Sequence, residues 1–505
     1  MLFSVVPTVL GEKMANFNKV TKKENAFTYE GGEAYNKNLS EDWLNFLMSC
    51  MLEDRHYENS ASQTKRYLEL TNEMADKFGN EFIAKASMFA RNELGMRSIS
   101  QLTAAWLNDK KFVGKRRYFK SFCHRADDVA EVFAAIDSIG QKRSHACVRG
   151  FGDYLSQLNE YAIDKYKMND KQYSMFDCIN ICHPKSAVID AYKHGTIEKA
   201  GTWEQEISAC SNDVDEAEKW YDLVMGKKLG YIALLRNLRN IFDSVENLKT
   251  EEDKRLCIDT VLEQLVDEHA IKKSLVFPYQ IYSSYKALAH DRINRFDLMS
   301  ALSKAFCIST GNMPELDGKS VIMLDVSGSM DTNISKRSAI TIKEVGAVYA
   351  VAIFIANKDT EIIKFGSDAR VAKINLNLNV FDTIKNIAVN YNLGYGTNIS
   401  RAFDKLNHSC DRIFLISDMQ IMKPDIYYWY YGASNGWDSY DEYVKNYGRC
   451  KMYSFDLSNY ATQIANPANK DISLFTSLNS KVFDFIKLKE DDIDIIDYIN
   501  NNYVY

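Results

Sequence analysis

Between residue 35 and about residue 305, apolar residues recur at spacings of three and four. The segments are LSEDWLNFLMSCMLEDRHY, SQTKRYLELTNEMADKFGNEFIAKASMFARNELG, DDVAEVFAAIDSIG, KWYDLVMGKKLGYIALLRNLRNIFDSVENL and EDKRLCIDTVLEQLVDEHAIKK. Each spacing predicts a helix with one buried stripe, as in Phe82, Ala86 and Phe89, or Tyr231, Leu234, Leu235 and Leu238. Such helices, joined by short polar loops, form either a bundle or stacked helix pairs, and no sharp internal repeat decides between them.

Past residue 311 the period changes. Val321, Ile322, Met323 and Leu324 make a short, continuously apolar run of the kind buried in a parallel sheet. A helix from about Ser338 to Asn357 follows, then strand-like TEIIKFGS, helices around 380 to 390 and 400 to 408, and the runs RIFLIS (412 to 417), KMYSFDL (451 to 457) and VFDFI (482 to 486), all three expected as strands. Strands alternating with helices predict an α/β sandwich with a mostly parallel sheet. The expected domains are 1–310, helical, and 311–505, α/β. An aromatic run at 425 to 447, IYYWYYGASNGWDSYDEYVKNYG, interrupts the second; it is expected to be an insertion packed on its own domain, with a partner-binding surface as the alternative.

Composition adds constraints. The 505 residues include 46% hydrophobic and 26% charged side chains and 6 Pro, which suits a helix-rich globular chain. The formal charge is -6, so any nucleic-acid surface has to be a local patch. The 10 cysteines are scattered and read as reduced thiols of a cytoplasmic protein. Cys178, Cys182 and His183 have no second Cys/His pair near in sequence to complete a zinc site. The start, MLFSVVPTVLGEK, lacks the basic and apolar regions of a signal peptide, and no run approaches a membrane span.

Asp325, Ser327 and Ser329 follow the first buried strand as D-x-S-x-S, at the carboxyl end where open α/β sheets collect ligands. Thr397 lies in the turn GYGTNIS, and Asp418 ends the strand RIFLIS. Three hydroxyls and two carboxylates make an oxygen-only site suited to Mg2+ or Mn2+, with a position open to an acidic group from a partner. The LDVSGSM stretch with the later Thr and Asp closely resembles the metal-ion-dependent adhesion site (MIDAS) of von Willebrand factor A domains. The resemblance implies that Ser327, Ser329 and Thr397 supply hydroxyls and that Asp325 and Asp418 supply carboxylates, some through water. SDMQ stands where the commoner third loop has a TDG type, which affects the shape of that loop more than the metal.

Hydrolytic chemistry lacks its parts. No G-x-S-x-G elbow surrounds Ser327 or Ser329, and the sequence holds neither a G-x-x-x-x-G-K-[ST] loop nor an H-E-x-x-H helix. The expectation is a binding protein and not an enzyme.

Positive charge concentrates in the helical half. KKFVGKRRYFKSFCHR, from Lys110 to Arg125, carries seven Lys/Arg, one His, four aromatics and no acid. Basic heads with stacking rings suit single-strand binding; the alternative is an amphipathic helix with Phe119 and Phe122 in the core and a solvated basic face. Further basic groups follow in QKRSHACVRGFGDYL, DKYKMNDKQYSMFD and NICHPKSAVIDAY.

Those segments, with YEGGEAY near residue 30, FLMSCMLEDRHY at 46 to 57, YIALLRNLRNI at 231 to 241 and VFPYQIYSSYKAL at 276 to 288, resemble in order the TROVE module of the Ro autoantigen family. The resemblance spans nearly the whole chain. It implies HEAT-like helical repeats closed into a monomeric ring by an A domain, with single-stranded or misfolded RNA ends in a central hole and small noncoding RNA of the Y type on an outer basic surface. It also implies Arg149, Lys165, Lys167, His183 and Lys185 as RNA-facing residues, although CHPK departs from the family's usual order after the His. A nuclease or another acidic protein is an implied partner, in a ribonucleoprotein. The alternative function is a metal-dependent protein-interaction scaffold, in which the A domain recruits an acidic partner and the helical half only supports it.

Overall fold

Glycines and capping side chains cut the long apolar patterns into shorter helices than the periodicity alone suggests. Gly79, at φ 84°, divides the segment from 62 to 95 into two helices, and the stretch from Gly226 to Gly230 divides the one from 219 to 248. The computed structural model describes residues 26–27, 33–49, 59–198, 200–290, 295–334, 338–357, 359–375, 379–420, 436–458, 462–463, 469–475 and 480–505.

After two short strands, β1 (Ala26–Phe27) and β2 (Glu33–Asn36), the first part consists of helices α1 (Leu39–Ser49), α2 (Ser60–Phe78), α3 (Asn80–Asn92), α4 (Ser98–Leu107), α5 (Lys115–Phe122), α6 (Asp127–Ser138), α7 (His145–Leu155), α8 (Glu160–Lys165), α9 (Met175–Cys182), α10 (Ala187–Lys193), α11 (Trp203–Ser208), α12 (Asp213–Met225), α13 (Tyr231–Val245), α14 (Glu251–Leu265), α15 (Glu268–Ser274), α16 (Pro278–His290) and α17 (Phe296–Ser309). Each packs mainly on helices one to three places away in sequence, such as α5 on α7 and α12 on α14. This is the stacked-pair arrangement of helical repeats.

The second part adds β3 (Ser320–Asp325), α18 (Ile342–Ala356), β4 (Thr360–Phe365), β5 (Ala369–Val371), α19 (Val380–Ala388), α20 (Ile399–Lys405), β6 (Arg412–Ser417), α21 (Gly436–Tyr447), β7 (Lys451–Asp456), β8 (Thr462–Gln463), β9 (Ile472–Phe475), α22 (Ser480–Glu490) and α23 (Ile495–Asn502). Its sheet runs β5-β4-β3-β6-β7-β9, parallel except for the edge strand β5. All six residues of β3 and of β6 are buried, which explains their unbroken apolar runs. The fold class expected from sequence, a helical-repeat ring followed by a Rossmann-like α/β domain, is the one found.

The VFDFI segment corrects one expectation: it is not a strand but part of α22. A short continuous apolar run suits a buried strand or a helix packed on both sides, and periodicity cannot separate them. Here Val482, Phe483, Phe485 and Ile486 are all buried: Phe483 packs on Phe455 of the sheet, while Phe485 meets Phe89 of α3 with ring centroids 5.0 Å apart. The last strand of the sheet is ISLF, at 472–475. Of the aromatic run, residues 425–435 lie outside the described residues; in α21, Tyr440 and Tyr443 are buried against Phe403 of the same domain.

The α/β domain touches both ends of the helical array. At the late end, Glu344 of α18 accepts hydrogen bonds from Tyr282 (3.0 Å) and Lys286 (2.7 Å) of α16, and Phe381 of α19 stacks on Tyr285. At the early end, α23 packs on α3, Lys85 donates to the Asn500 carbonyl (2.8 Å), and Tyr505 meets Phe112 and Tyr118 edge-on. Beside it, β2 pairs antiparallel with β8, and Lys37 forms an ion pair of 3.1 Å with Asp456, both side chains fully buried.

Within the array, Asp128 gathers α3, α4 and α6. It accepts from Arg91 (2.6 Å), Gln101 (2.9 Å), Arg97 (3.3 Å) and the amides of His124 and Arg125 (3.1 and 3.0 Å). Burial works to raise its carboxyl, but the charge and hydrogen bond of Arg91 and the two amides outweigh that and hold it below the ordinary value. A depressed folded value means that its stabilisation is present above the unfolded pKa of about 3.9 and is lost as pH falls through the folded value. Asp128→Asn should therefore cost about 3 kcal/mol at pH 7 by leaving Arg91 buried without its counter-charge. Thermal melts of both proteins should differ at pH 7 and still differ near pH 4, converging only as pH falls through the depressed folded value of Asp128; equal melting temperatures at pH 7 would count against the hub.

Candidate metal centre and nucleic-acid interface

The parallel pairing of β3 with β6 sets Leu324 beside Ile416, so Asp325 and the residues after Ser417 emerge together at the carboxyl edge. Asp325 is fully buried; its Oδ1 accepts the Ser327 amide (2.8 Å) and its Oδ2 accepts the Ser417 hydroxyl (2.6 Å). The Ser327 and Ser329 hydroxyls lie 3.3 Å apart, and Ser329 also bonds Asp418. Burial, followed by the nearby Asp325 charge, pushes the Asp418 carboxyl up to about 7; burial likewise raises Asp325.

The loop carrying Thr397 is strapped to these residues. Gly328 donates to the Tyr395 carbonyl (2.9 Å), Gly396 to Ser367 Oγ (3.0 Å) and Asn398 to the Gly366 carbonyl (2.8 Å). Asn390 bridges the carbonyls of Val326 and Gly394, at 2.8 Å each. Asp325, Ser327, Ser329 and Asp418 are thus linked through one hydrogen-bond cluster, and the loop bearing the buried Thr397 lies against Gly328. Ser417, Asn390 and the Lys37–Asp456 pair next to the site were not singled out from sequence; the position of Ser417 directly before Asp418 was the available signal. The donor set suits a hard divalent cation, because two buried carboxylates forced together repel and the hydroxyls of Ser327, Ser329 and Thr397 would supply the further oxygens. No group of three or more His, Cys, Asp or Glu suited to a metal occurs among the described residues, Cys178, Cys182 and His183 included.

The basic segment at 110–125 resolves into α5. Tyr118, Phe119 and Phe122 are fully buried, so these rings offer no stacking face and α5 is an amphipathic helix with Phe119 and Phe122 in the core. Arg116 forms a two-point ion pair with Asp153 of α7, at 2.7 and 2.8 Å.

The other basic residues divide into two kinds. Arg149 on α7 and His183 and Lys185 after α9 are exposed. The Lys185 amide donates to Ser156 Oγ (3.0 Å), which pins this loop to the end of α7, and His183 sits at φ 50° as the cap of α9. Lys165 is exposed beside the rings of Tyr161 and Tyr166. Lys167, by contrast, is locked 2.6 Å from the buried Asp164. Burial works to raise the Asp164 carboxyl, but Lys167, the Ala200 amide and Gln205 hold it down to about 2.

A helical-repeat array clasped at both ends by an α/β domain is the class that these elements define. Residues 189–352 match the family model of the TROVE domain, which runs from α10 through α18 and so crosses from the helical part into the α/β part. Telomerase protein component 1 of Mus musculus is 23% identical over 372 residues, which is 55% of this chain and 14% of that protein. The Rattus norvegicus counterpart is 23% identical over 346 residues, 50% of this chain and 13% of that protein. The chain therefore spans a small part of the length of these curated relatives. The crystal structure of the Deinococcus radiodurans Ro (RSR) protein superimposes with a TM-score of 0.64 at 15% identity, covering 88% of this chain and 99% of that one. The two share a fold over that span.

Gly366 tests how tightly the three loops are held. A Cβ there would meet the Gly394 carbonyl at 2.5 Å. Gly366→Ala should force the Thr397 loop away and lower stability by about 1 to 3 kcal/mol, read as a lower melting temperature with faster amide exchange at 394–398. An unchanged melt and unchanged exchange would show that the loops are not held as described.

Proposed function

We propose that the chain binds RNA through its helical part and holds a divalent cation in its α/β domain. The observation that carries the RNA reading is a set of exposed side chains in a chain of net charge -6: the cations Arg149, Lys185 and Lys165, with the His183 ring among them. Arg149, Lys185 and His183 form no ion pair among the described residues, and Lys165 feels only the more distant Glu204 charge. The match to the TROVE family model over 189–352 and the fold shared with the Ro protein support the same reading.

In its finer form, small noncoding RNA of the Y type lies on the outer basic surface and single-stranded or misfolded ends enter the ring, in a cytoplasmic ribonucleoprotein that binds without catalysis. Lys167 contributes chiefly by fixing α8 to the 200–205 segment through Asp164. At the sheet edge, Asp325, Ser327, Ser329, Thr397 and Asp418 would hold Mg2+ or Mn2+, which when bound supplies an open position for an acidic group of a partner such as a nuclease. Asp325 and Asp418 would give the charge, the hydroxyls the remaining oxygens, and Ser417 would orient Asp325.

The second reading, a protein-interaction scaffold, is favoured by Tyr395, which is 78% exposed on the loop that crosses Gly328. One pair of titrations separates the two. With single-stranded RNA followed by fluorescence anisotropy at several salt concentrations, Arg149→Ala and Lys185→Ala should each weaken RNA of any sequence and flatten the log–log salt slope by about 0.7. Lys167→Ala should change the melting temperature more than the slope. His183→Ala should lose affinity with little change in slope if the ring meets a base. Asp325→Ala should abolish Mg2+ binding by calorimetry and leave RNA affinity unchanged. If RNA fails to bind the parent protein while Mg2+ binds, the scaffold reading stands in its place.

A further inference from the structure

Where α5 begins, the surface opens into a groove of about 540 Å3 lined by Val113, Gly114, Lys115, Arg116, Arg117, Lys120 and Asp153. Its lining is four cations against a single carboxylate, and the carboxylate is already taken by the two-point pair with Arg116. The Lys115 ammonium turns away to the carbonyls of Asn108 and Lys110. Arg117 is exposed and Lys120 half-buried, and neither forms an ion pair among the described residues, although the Asp153 charge also reaches Lys120.

Two features say what kind of group this groove takes. The rings of α5 lie beneath it in the core, so it offers charge and hydrogen-bond donors but no face on which a base stacks. Three of its four cations, Lys115, Arg116 and Arg117, crowd the first turn of α5, where the helix dipole disfavours positive charge and Gly114 gives no side-chain cap, while Lys120 stands in the last turn. An oxyanion would relieve both conditions. The groove is also continuous with the exposed basic residues described above: Asp153 and Arg149 stand one turn apart on α7, and α7 crosses α5 so closely that a Cβ on Gly150 would meet the Arg116 carbonyl at 2.5 Å.

We propose that this groove is a phosphate cradle that holds the terminal phosphate monoester of a bound RNA strand, with Arg117 and Lys120 as its principal ligands and the Arg116–Asp153 pair as its fixed wall. The inference rests on the RNA-binding reading and adds to it a preference for one kind of strand end. A dianionic terminal group matches two uncommitted cations better than the single charge of an internal phosphodiester.

The test uses the full chain and short oligouridine RNAs bearing a 5′-monophosphate, a 3′-monophosphate or hydroxyls at both ends, with anisotropy as the readout. One of the phosphorylated strands should bind about tenfold tighter than the hydroxyl-ended one, about 1.4 kcal/mol. The Arg117→Gln/Lys120→Gln double variant should lose that preference while keeping hydroxyl-ended binding and its melting temperature, because neither side chain carries a structural ion pair. Equal binding of all three strands by the parent protein overturns the cradle and leaves the RNA reading standing. An equal loss for all three strands in the double variant overturns the terminal assignment in favour of an internal phosphodiester. No RNA binding by the parent protein overturns both.

Discussion

Lys37 and Asp456 meet 3.1 Å apart with both side chains fully removed from water, one placed just before the first helix and the other at the end of β7. Burying two charges is expensive unless each is matched, and removing either leaves the other stranded. Around this pair the chain repeats the same joint in other chemistry: β2 adds to β8, Phe89 meets Phe485 and Tyr503, and Tyr505 lies against Phe112 and Tyr118. Together these contacts return the α/β domain to the helices where the chain begins. The Glu344 cluster with Tyr282 and Lys286 holds it to the helices that immediately precede it.

An array whose helices touch mainly their near neighbours has no intrinsic reason to keep one curvature, since small rotations at each interface add along its length. Fastening both ends to one rigid sheet removes that freedom. The consequence reaches the exposed basic residues proposed to face RNA, because α7, α8 and the loop after α9 that carry them lie between the two fastened ends. Local devices then set individual side chains: Ser156 fixes the Lys185 loop, and Asp164 ties Lys167 into an ion pair. The closure also lies next to the oxygen cluster at the sheet edge, since the Asp456 charge contributes to raising Asp418.

Much of this was legible in the sequence, for physical reasons. A buried parallel strand must be apolar throughout, so β3 and β6 announced themselves, and with them the edge from which Asp325 and Asp418 emerge. The α5 segment was legible as basic and aromatic, yet nothing in its composition said which way the rings face; packing against α7 decided that. VFDFI was misread because a helix covered on two faces has lost the polar side that marks it as a helix. The closing contacts were hidden for another reason: Lys37 and Asp456 stand 419 positions apart, and single-sequence patterns carry no record of such pairs. Lys167 looked like its neighbour Lys165 until the fold brought Asp164, Ala200 and Gln205 together.

The central claim is that the α/β domain acts as a clasp whose joints work together. Amide hydrogen exchange of the Lys37→Met variant, compared with the parent protein, tests it most directly. The account predicts faster exchange in α1 to α3 and in α22 to α23 together, with β3 and β6 unchanged. Faster exchange confined to the immediate surroundings of Lys37 and Asp456, with α3 and α23 protected as before, would contradict it.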